Sequence, residues 1–213
     1  AGTMDLEASH SVVPNEYLFK TCRGDDRFLP GPSINPMKAG ALEELERCIA
    51  GGMVLLKWLA PLMHFDPEAA CCDPFYETLA RHRVPILAHT GCEHTFPGMN
   101  QELGLPSKYV KALEAGCTVI MAHCGVACPI HMRYHAVDDV VSMMERYANL
   151  YAATAALCSL LKWQHLGRLP FDRLPGRFLH GSDYPIPPVA VGFVRKLGLG
   201  RMIELTRHPN PLQ

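Results

Sequence analysis

The sequence predicts an α/β domain built on a parallel β-sheet that is covered by helices. Strand-like and helix-like segments alternate from residue 27 onward. The strand-like segments are almost entirely apolar, which is typical of parallel strands. Glycine-rich phosphate-binding loops are absent from the sequence, which disfavours an open nucleotide-binding sheet. Polar residues follow at least three of the strands, which favours a sheet closed into a barrel with a polar mouth.

In the first half of the chain, two helices separate three strands. Residues 27–36 read as a short strand broken by prolines. Residues 39–50 have apolar side chains at helical spacing, and a Gly-Gly pair then ends that helix. The apolar run at 53–59 is the next strand, 73–82 is the next helix, and 84–89 is the third strand.

In the second half, a long loop at residues 92–106 is rich in glycine and proline. Helices and strands then alternate again. The predicted elements are a helix at 107–115, a strand at 118–123, a helix at 137–147, a strand at 150–155 and, after a further helix, the strand that precedes Asp183.

The composition describes one globular domain over residues 1–213, with 48% hydrophobic and 19% charged residues. With 20 basic and 21 acidic residues, the chain has no long-range field that would attract nucleic acid or an anionic membrane. No apolar run reaches the roughly 18 residues of a membrane span, and the N-terminus has no secretory signal pattern. We therefore expect a cytoplasmic protein with a small-molecule substrate. The oligomeric state stays open, and a homo-oligomer is compatible with the sequence.

The nine cysteines predict no disulfide framework. Their number is odd, and several lie inside apolar runs, as small buried side chains do in a reducing compartment. The group Cys124, Cys128, His131 and His135 invites a structural-zinc interpretation. Only two residues separate its two pairs, whereas finger-type sites separate theirs by about a dozen, so we favour a loop there.

Side chains that could bind a ligand or act in catalysis lie at the ends of three strands. His89 and His123 each end an apolar strand and precede glycine within two positions, and Asp183 lies in the turn Gly-Ser-Asp-Tyr-Pro after the last strand. In α/β folds the carboxyl ends of the strands form the active site. A histidine at a strand end can also be an ordinary hydrogen-bonded core residue, and it is the joint pattern that favours function.

These segments resemble the amidohydrolase-related family of metal-dependent hydrolases, in the branch that includes amino-carboxymuconate-semialdehyde decarboxylase. The resemblance rests on Lys57 with Pro61, His89 before Thr-Gly, His123 before Cys-Gly, and Asp183 in its turn. It extends over about residues 27–211. It implies a (β/α)8 TIM barrel of the metal-dependent hydrolase type.

The resemblance also implies roles. His89 and Asp183 are expected to bind a catalytic divalent metal ion, most simply zinc, while His123 and Asp183 are expected to be catalytic. The implied reaction is hydrolysis of a small-molecule carbonyl, ester, lactone or amide by a metal-activated water. Decarboxylation by a lyase of the same family is the alternative reaction.

The sequence departs from the family pattern at its start. The family's first strand ends in His-x-His, which supplies two further metal ligands, and no such pair occurs here. If Asp183 follows strand eight, then strands 3–8 are present and strands 1–2 are missing. We therefore expect an incomplete, N-terminally truncated barrel, and a catalytically inactive fragment becomes a third reading.

Two charged residues are candidate substrate-binding groups. Lys57 lies near the end of its strand and could bind substrate, or it could extend its ammonium group to water at the mouth. Glu93 and His94 lie in the loop directly after His89 and could orient substrate, although loops collect such residues by default.

The remaining polar residues have ordinary explanations. His64, Asp66 and Glu68 could line the pocket or begin a helix. We expect His131, His135 and His165 to be surface or helix residues.

Overall fold

A five-stranded parallel sheet forms the centre of the computed structural model, which describes residues 13–93, 98–127, 135–160, 162–186, 189 and 193–207. The strands neighbour one another in chain order, and all four pairings are parallel. Their bounds are β1 Leu56–Trp58, β2 Ile86–His89, β3 Val119–Ala122, β4 Leu150–Ala153 and β5 Phe178–Leu179.

Helices connect the strands and flank the sheet. The α-helices of the described residues are α1 Asn15–Arg23, α2 Ala41–Ala50, α3 Ala60–Met63, α4 Asp73–His82, α5 Val110–Glu114, α6 Val137–Arg146, α7 Trp163–Leu166 and α8 Val194–Arg207. Short 3-10 helices lie at Ala70–Cys72, Gln101–Gly104, Pro106–Tyr109 and His123–Gly125. None of the helices in the described part of the chain has the length and apolar character needed to cross a membrane.

The first predicted strand, at residues 27–36, is an extended segment rather than a strand of the sheet. It lies beside β1, where Val54 N donates to Pro30 O at 3.0 Å and Lys57 N donates to Pro32 O at 2.8 Å. Pro30 and Pro32 have no N–H group, so neither can donate the backbone hydrogen bonds that a regular pairing with β1 would need. The segment therefore occupies a strand position without completing regular pairing.

The two faces of the sheet differ in burial. On one face the side chains are fully buried and share a single core with residues of α2, α4, α5 and α6. That face consists of Leu56, Trp58, Ile86, Ala88, Val119, Met121, Leu150 and Ala152. The opposite face is only half-buried at the aligned positions Lys57, Leu87, Ile120 and Tyr151.

This pattern confirms the predicted fold class. A doubly wound sheet reverses its strand order, whereas these strands follow one another without reversal, as they do in a (β/α) barrel. A complete barrel would fill its interior with side chains, so the half-buried face indicates that the described residues form an incomplete barrel. The free thiols of the described residues include Cys22, Cys48, Cys71, Cys72, Cys117, Cys124 and Cys158, and Cys128 lies outside those residues.

Candidate functional site

The candidate site lies at the carboxyl ends of β2 and β3. In the parallel register His89 pairs with Ala122, so His123 follows one residue beyond the end of β3. The two imidazole rings meet edge to face with their centres 4.6 Å apart. Sequence reasoning predicted that these two histidines share one edge of the sheet, and the structure brings them into direct contact.

His123 stands on an unusual backbone turn. His123, Cys124 and Gly125 have φ angles of 65°, 50° and 68°, all in the left-handed region. At Gly125 a Cβ atom would lie 2.9 Å from the carbonyl oxygen of Ala136, so only glycine fits. The turn directs the chain away from β3 and leaves the His123 ring beside the end of β2.

Hydrogen bonds define the protonation pattern of both rings. His123 Nδ1 lies 2.9 Å from the carbonyl oxygen of Ala155, and a carbonyl can only accept, so this nitrogen carries the proton. The Nε2 atom of neutral His123 is then an acceptor, and His89 Nδ1 donates to it at 3.1 Å. The remaining nitrogen, His89 Nε2, therefore bears a lone pair.

Burial keeps both rings neutral. The histidines are 5% and 4% exposed, and desolvation is the main cause that lowers the pKa of each well below its ordinary value. The positive charges of Lys57 and Lys162 lower both pKa values further. Backbone hydrogen bonds with Cys92 and Ala155 act in the opposite direction and do not outweigh burial. The pair thus consists of two uncharged imidazoles at neutral pH.

Two carboxylates lie near this pair. Glu93 Oε2 is 3.7 Å from His89 Nδ1, and Asp183 Oδ2 is 3.9 Å from His123 Nδ1. Gly181 allows the Asp183 turn to come close, because a Cβ atom at this glycine would lie 3.1 Å from the Cβ atom of Ala155. The Asp183 side chain is 42% exposed, so it forms the open side of the cluster.

Lys57 approaches the same cluster from β1. It occupies the half-buried face of the sheet, on which His89 also lies, because Lys57 pairs with Leu87. Burial lowers the pKa of Lys57, while the charges of Asp183 and Glu93 raise it. The predicted substrate-binding residues Lys57 and Glu93 therefore lie within electrostatic reach of each other and of the predicted metal ligand Asp183.

The donors of this cluster suit a divalent metal ion in chemistry and only partly in number. His89 Nε2 is buried and has no hydrogen-bond partner in the described residues, which is the state of an imidazole nitrogen prepared for a ligand. Imidazole and carboxylate are both zinc ligands. However, no three His, Cys, Asp or Glu side chains of the described ranges are grouped so that they could hold a metal ion.

Other residues considered in the sequence have structural roles. Lys108 Nζ contacts the carboxylates of Asp66 and Glu68 at 3.0 and 2.6 Å, and Asp66 Oδ1 accepts a hydrogen bond from the Glu68 backbone at 3.0 Å. These contacts favour the helix-start interpretation over pocket lining. His64 follows α3 in a left-handed conformation.

The expectation that His165 is a surface or helix residue is confirmed, because it lies on α7. Its side chain is only 5% exposed, and its ring packs against that of His135 with the ring centres 4.6 Å apart. Burial lowers the pKa of both. His94, Cys128 and His131 lie outside the described residues.

Sequence reasoning missed Thr90 and Lys162. Thr90 is fully buried directly after His89, and a hydroxyl residue at the end of an apolar strand is a signal that could have singled it out. Lys162 acts on both imidazoles through its charge. It comes from the segment between β4 and α7, and nothing in the sequence indicates that this segment lies near His89 and His123.

Solved structures share this fold. An uncharacterised TIM-barrel protein from Bordetella bronchiseptica is 18% identical with a TM-score of 0.66, and the match covers 94% of this chain and 68% of that one. 5-Carboxyvanillate decarboxylase from Sphingomonas paucimobilis is 17% identical with a TM-score of 0.58, covering 85% and 64%. 2,6-Dihydroxybenzoate decarboxylase from Rhizobium is 16% identical with a TM-score of 0.56, covering 84% and 67%.

The chain spans 64% to 68% of the length of these three structures. A comparison with curated proteins gave no match. The family model described as amidohydrolase matches residues 2–206, nearly the full length of the sequence. This match confirms the resemblance that the strand-end residues indicated, and the chain belongs to the amidohydrolase family.

Proposed function

We propose that the protein is a metal-dependent hydrolase, in which an activated water attacks the carbonyl carbon of a small-molecule ester, lactone or amide. The observation that carries this proposal is the buried Nε2 atom of His89, which has no partner in the described part of the chain. A buried polar atom without a hydrogen bond destabilises a fold unless a ligand pairs with it. Membership of the amidohydrolase family supports the same reaction class.

His89 and Asp183 are the residues that would hold the ion, through Nε2 and the carboxylate. When bound, a zinc-type ion polarises a carbonyl group and lowers the pKa of water to about 7. Catalytic zinc sites usually have three protein ligands. With two ligands from the described residues, we expect this chain to bind zinc weakly.

Asp183 would accept the proton, and His123 would support the imidazole of His89. The partly exposed Asp183 carboxylate can accept the proton of the attacking water. His123 is neutral and carries its proton on Nδ1, the nitrogen that faces both Ala155 O and Asp183. That proton is donated to Ala155 O and the Nε2 lone pair accepts from His89, so His123 would hold the His89 ring in place rather than act as the base.

Lys57 and Glu93 would contact substrate. Lys57 brings a positive charge to the half-buried face beside His89, and this charge would attract an anionic group of the substrate. Glu93 lies beside His89 and would orient a polar group. Both residues are less exposed than Asp183, which makes them side walls of the site.

Decarboxylation is the second candidate reaction. Two structures that share the fold are a 5-carboxyvanillate decarboxylase and a 2,6-dihydroxybenzoate decarboxylase. Both act on aromatic carboxylic acids by name. A carboxylate substrate would also match the charge of Lys57, so aromatic carboxylic acids belong in any substrate screen.

The test combines metal binding with a reaction screen. The protein is stripped with a chelator, titrated with Zn²⁺, Mn²⁺ and Co²⁺ by calorimetry, and assayed with nitrophenyl esters, lactones and anilides. Release of CO₂ from hydroxylated benzoic acids is measured in parallel. We expect zinc-dependent hydrolysis, together with loss of zinc binding in His89→Ala and Asp183→Asn.

His82→Asn is the matched control, because His82 is exposed on α4. Zinc binding that survives both ligand substitutions would overturn the metal assignment. Metal-dependent CO₂ release without hydrolysis would favour the decarboxylase. Absence of any metal-dependent reaction would favour the inactive alternative.

A further inference from the structure

Thr90 is a buried residue whose hydroxyl joins the two strand ends of the site. It follows His89 directly and is 0% exposed. Its Oγ1 atom donates to Ala122 O at 2.7 Å and accepts from Gly125 N at 3.1 Å. Both hydrogen-bonding capacities of the hydroxyl are used by the backbone of the neighbouring connection.

The two backbone partners of Thr90 bracket His123. Ala122 is the residue before His123, and Gly125 is the second residue after it. One hydroxyl therefore fixes both ends of the left-handed turn that carries the imidazole. Residues with side chains adopt the left-handed region only at a cost in free energy, so a turn with His123 and Cys124 in that region depends on contacts from outside it.

This turn determines where the His123 ring lies. From it, Nδ1 reaches Ala155 O at 2.9 Å and Nε2 reaches His89 Nδ1 at 3.1 Å. The first contact sets the tautomer of His123, and the second acts together with the backbone hydrogen bond of Cys92 on the tautomer of His89. If the turn relaxed, both contacts would lengthen, and His89 Nδ1 would lose the ring acceptor that favours a proton on this nitrogen.

We propose that Thr90 is a positioning residue that holds the His123 turn in place and thereby helps to keep the lone pair of His89 on Nε2. Thr90 touches neither reacting atom and acts only through the backbone of the neighbouring strand end. The consequence for catalysis rests on the proposed hydrolase function. The effect on the imidazole pair does not, because it concerns the protein alone.

The experiment compares Thr90→Val with Thr90→Ser in protein labelled with ¹⁵N at histidine and free of metal. Valine keeps the shape and removes the hydroxyl, whereas serine keeps the hydroxyl and removes a methyl group. Ring ¹⁵N chemical shifts distinguish a protonated from an unprotonated nitrogen in neutral imidazole. We expect the wild type to show His89 protonated at Nδ1, Thr90→Val to show averaged shifts for His89 and His123, and Thr90→Ser to restore the wild-type pattern.

Thr78→Val is the matched control, because Thr78 is 5% exposed on α4 and lies outside the site. If Thr90→Val does not fold, Thr90→Ala and Thr90→Ser form a second pair that differs only in the hydroxyl. A folded variant without the hydroxyl that keeps the wild-type ¹⁵N pattern would overturn the proposal. So would a serine variant as perturbed as its partner, or a control that shows the same averaging.

A kinetic measurement separates this proposal from the proposed function. In active protein, loss of the hydroxyl should lower kcat by about 10- to 100-fold, as small misplacements of catalytic groups do, with KM little changed. If the wild type has no metal-dependent activity, the proposed function fails while the ¹⁵N result still decides the role of Thr90. Equal losses of kcat in the serine and valine variants would contradict a role for the hydroxyl.

Discussion

His89 Nδ1 and His123 Nε2 lie 3.1 Å apart, although 34 positions separate the two residues in the chain. The rings can be hydrogen-bond partners only while at least one of them is neutral, because a protonated imidazole has two donors and no acceptor. Their lowered pKa values maintain that state. The contact therefore makes the protonation of His89 depend on that of His123. Substitution of His123 tests this dependence directly.

The first prediction concerns His123→Asn. Asparagine keeps a polar side chain but has no atom at the position of Nε2, which accepts the hydrogen bond from His89 Nδ1. We expect kcat to fall by about 100-fold, the cost of a small misplacement of a catalytic group, while zinc binding persists because His89 and Asp183 are unchanged. Steady-state kinetics and calorimetry measure the two quantities. Activity within a factor of two of the wild type would exclude a catalytic role for His123.

The second prediction concerns Gly91, which follows the His89–Thr90 pair. Its φ angle is +89°, and a Cβ atom would lie 2.5 Å from the carbonyl oxygen of Val126. Gly98 has a φ angle of +79° with nothing within 4 Å of the same position. Both alanine variants have the left-handed strain of about 1–2 kcal/mol, but only Gly91→Ala adds a collision with backbone. Urea unfolding should show Gly91→Ala to be the less stable variant, and equal losses would contradict this account.

The third prediction concerns Arg177, which joins the start of β5 to the end of α6. Its guanidinium donates to the carbonyl oxygens of Tyr147 at 2.7 Å and Met144 at 3.2 Å, and also to that of Leu150. Arg177→Met should lower the free energy of unfolding by about 1.5–3 kcal/mol, because these are hydrogen bonds to a charged donor.

Arg173→Met is its control, since the side chain of Arg173 forms only an exposed ion pair with Glu145, at 2.9 Å, among the described contacts. Such pairs contribute about 0–1 kcal/mol. Chemical denaturation compares the two variants. A loss in Arg173→Met as large as that in Arg177→Met would show that charge, rather than the carbonyl contacts, matters here.

The fourth prediction is a loss of stability in acid. Burial lowers the pKa of His165 and of His135 below 6.5, with His135, Arg168 and Lys162 adding to the effect at His165 and only Asp138 opposing it at His135. A lowered pKa means that the unfolded chain binds more protons than the folded one below about pH 6.5, so stability is present above that pH and falls as pH decreases.

His165→Gln should reduce the steepness of this fall, by up to about 1.4 kcal/mol per pH unit for one proton. His89 and His123 keep contributing in that variant. Trp163→Phe, on the same helix, changes no titratable group and is the control. The measurement is urea unfolding at several pH values between 7.5 and 5. An unchanged slope in His165→Gln would contradict the prediction.

Regular elements were predictable because their signals are local. The helix α4 has the predicted bounds, Asp73–His82, since apolar spacing and the following turn mark it. The run at 53–59 has only three residues in β1, because strand length depends on where a partner can pair, and residue spacing does not record that. Residues 27–36 were extended as predicted, while their prolines prevented a regular ladder.

The sequence identified side chains of the candidate site, but it did not identify the backbone groups that position them. His89 and His123 were recognised because they end apolar strands, and parallel strands bring such ends together. The carbonyl of Ala155, which sets the tautomer of His123, is a backbone group that any residue would supply. The left-handed turn after β3 could not be predicted either, because histidine and cysteine rarely adopt a left-handed backbone conformation.

Because β5 is short, the turn that carries Asp183 should open locally more often than the strand ends that carry His89 and His123. β5 has two residues, pairs with one neighbour in the described chain and leaves Leu179 41% exposed, whereas β2 and β3 are central and buried. Segments with few buried contacts open locally far more often than the whole molecule unfolds. The imidazoles should thus persist through openings that release the aspartate turn, and amide protons after β5 should exchange with solvent long before those around His89.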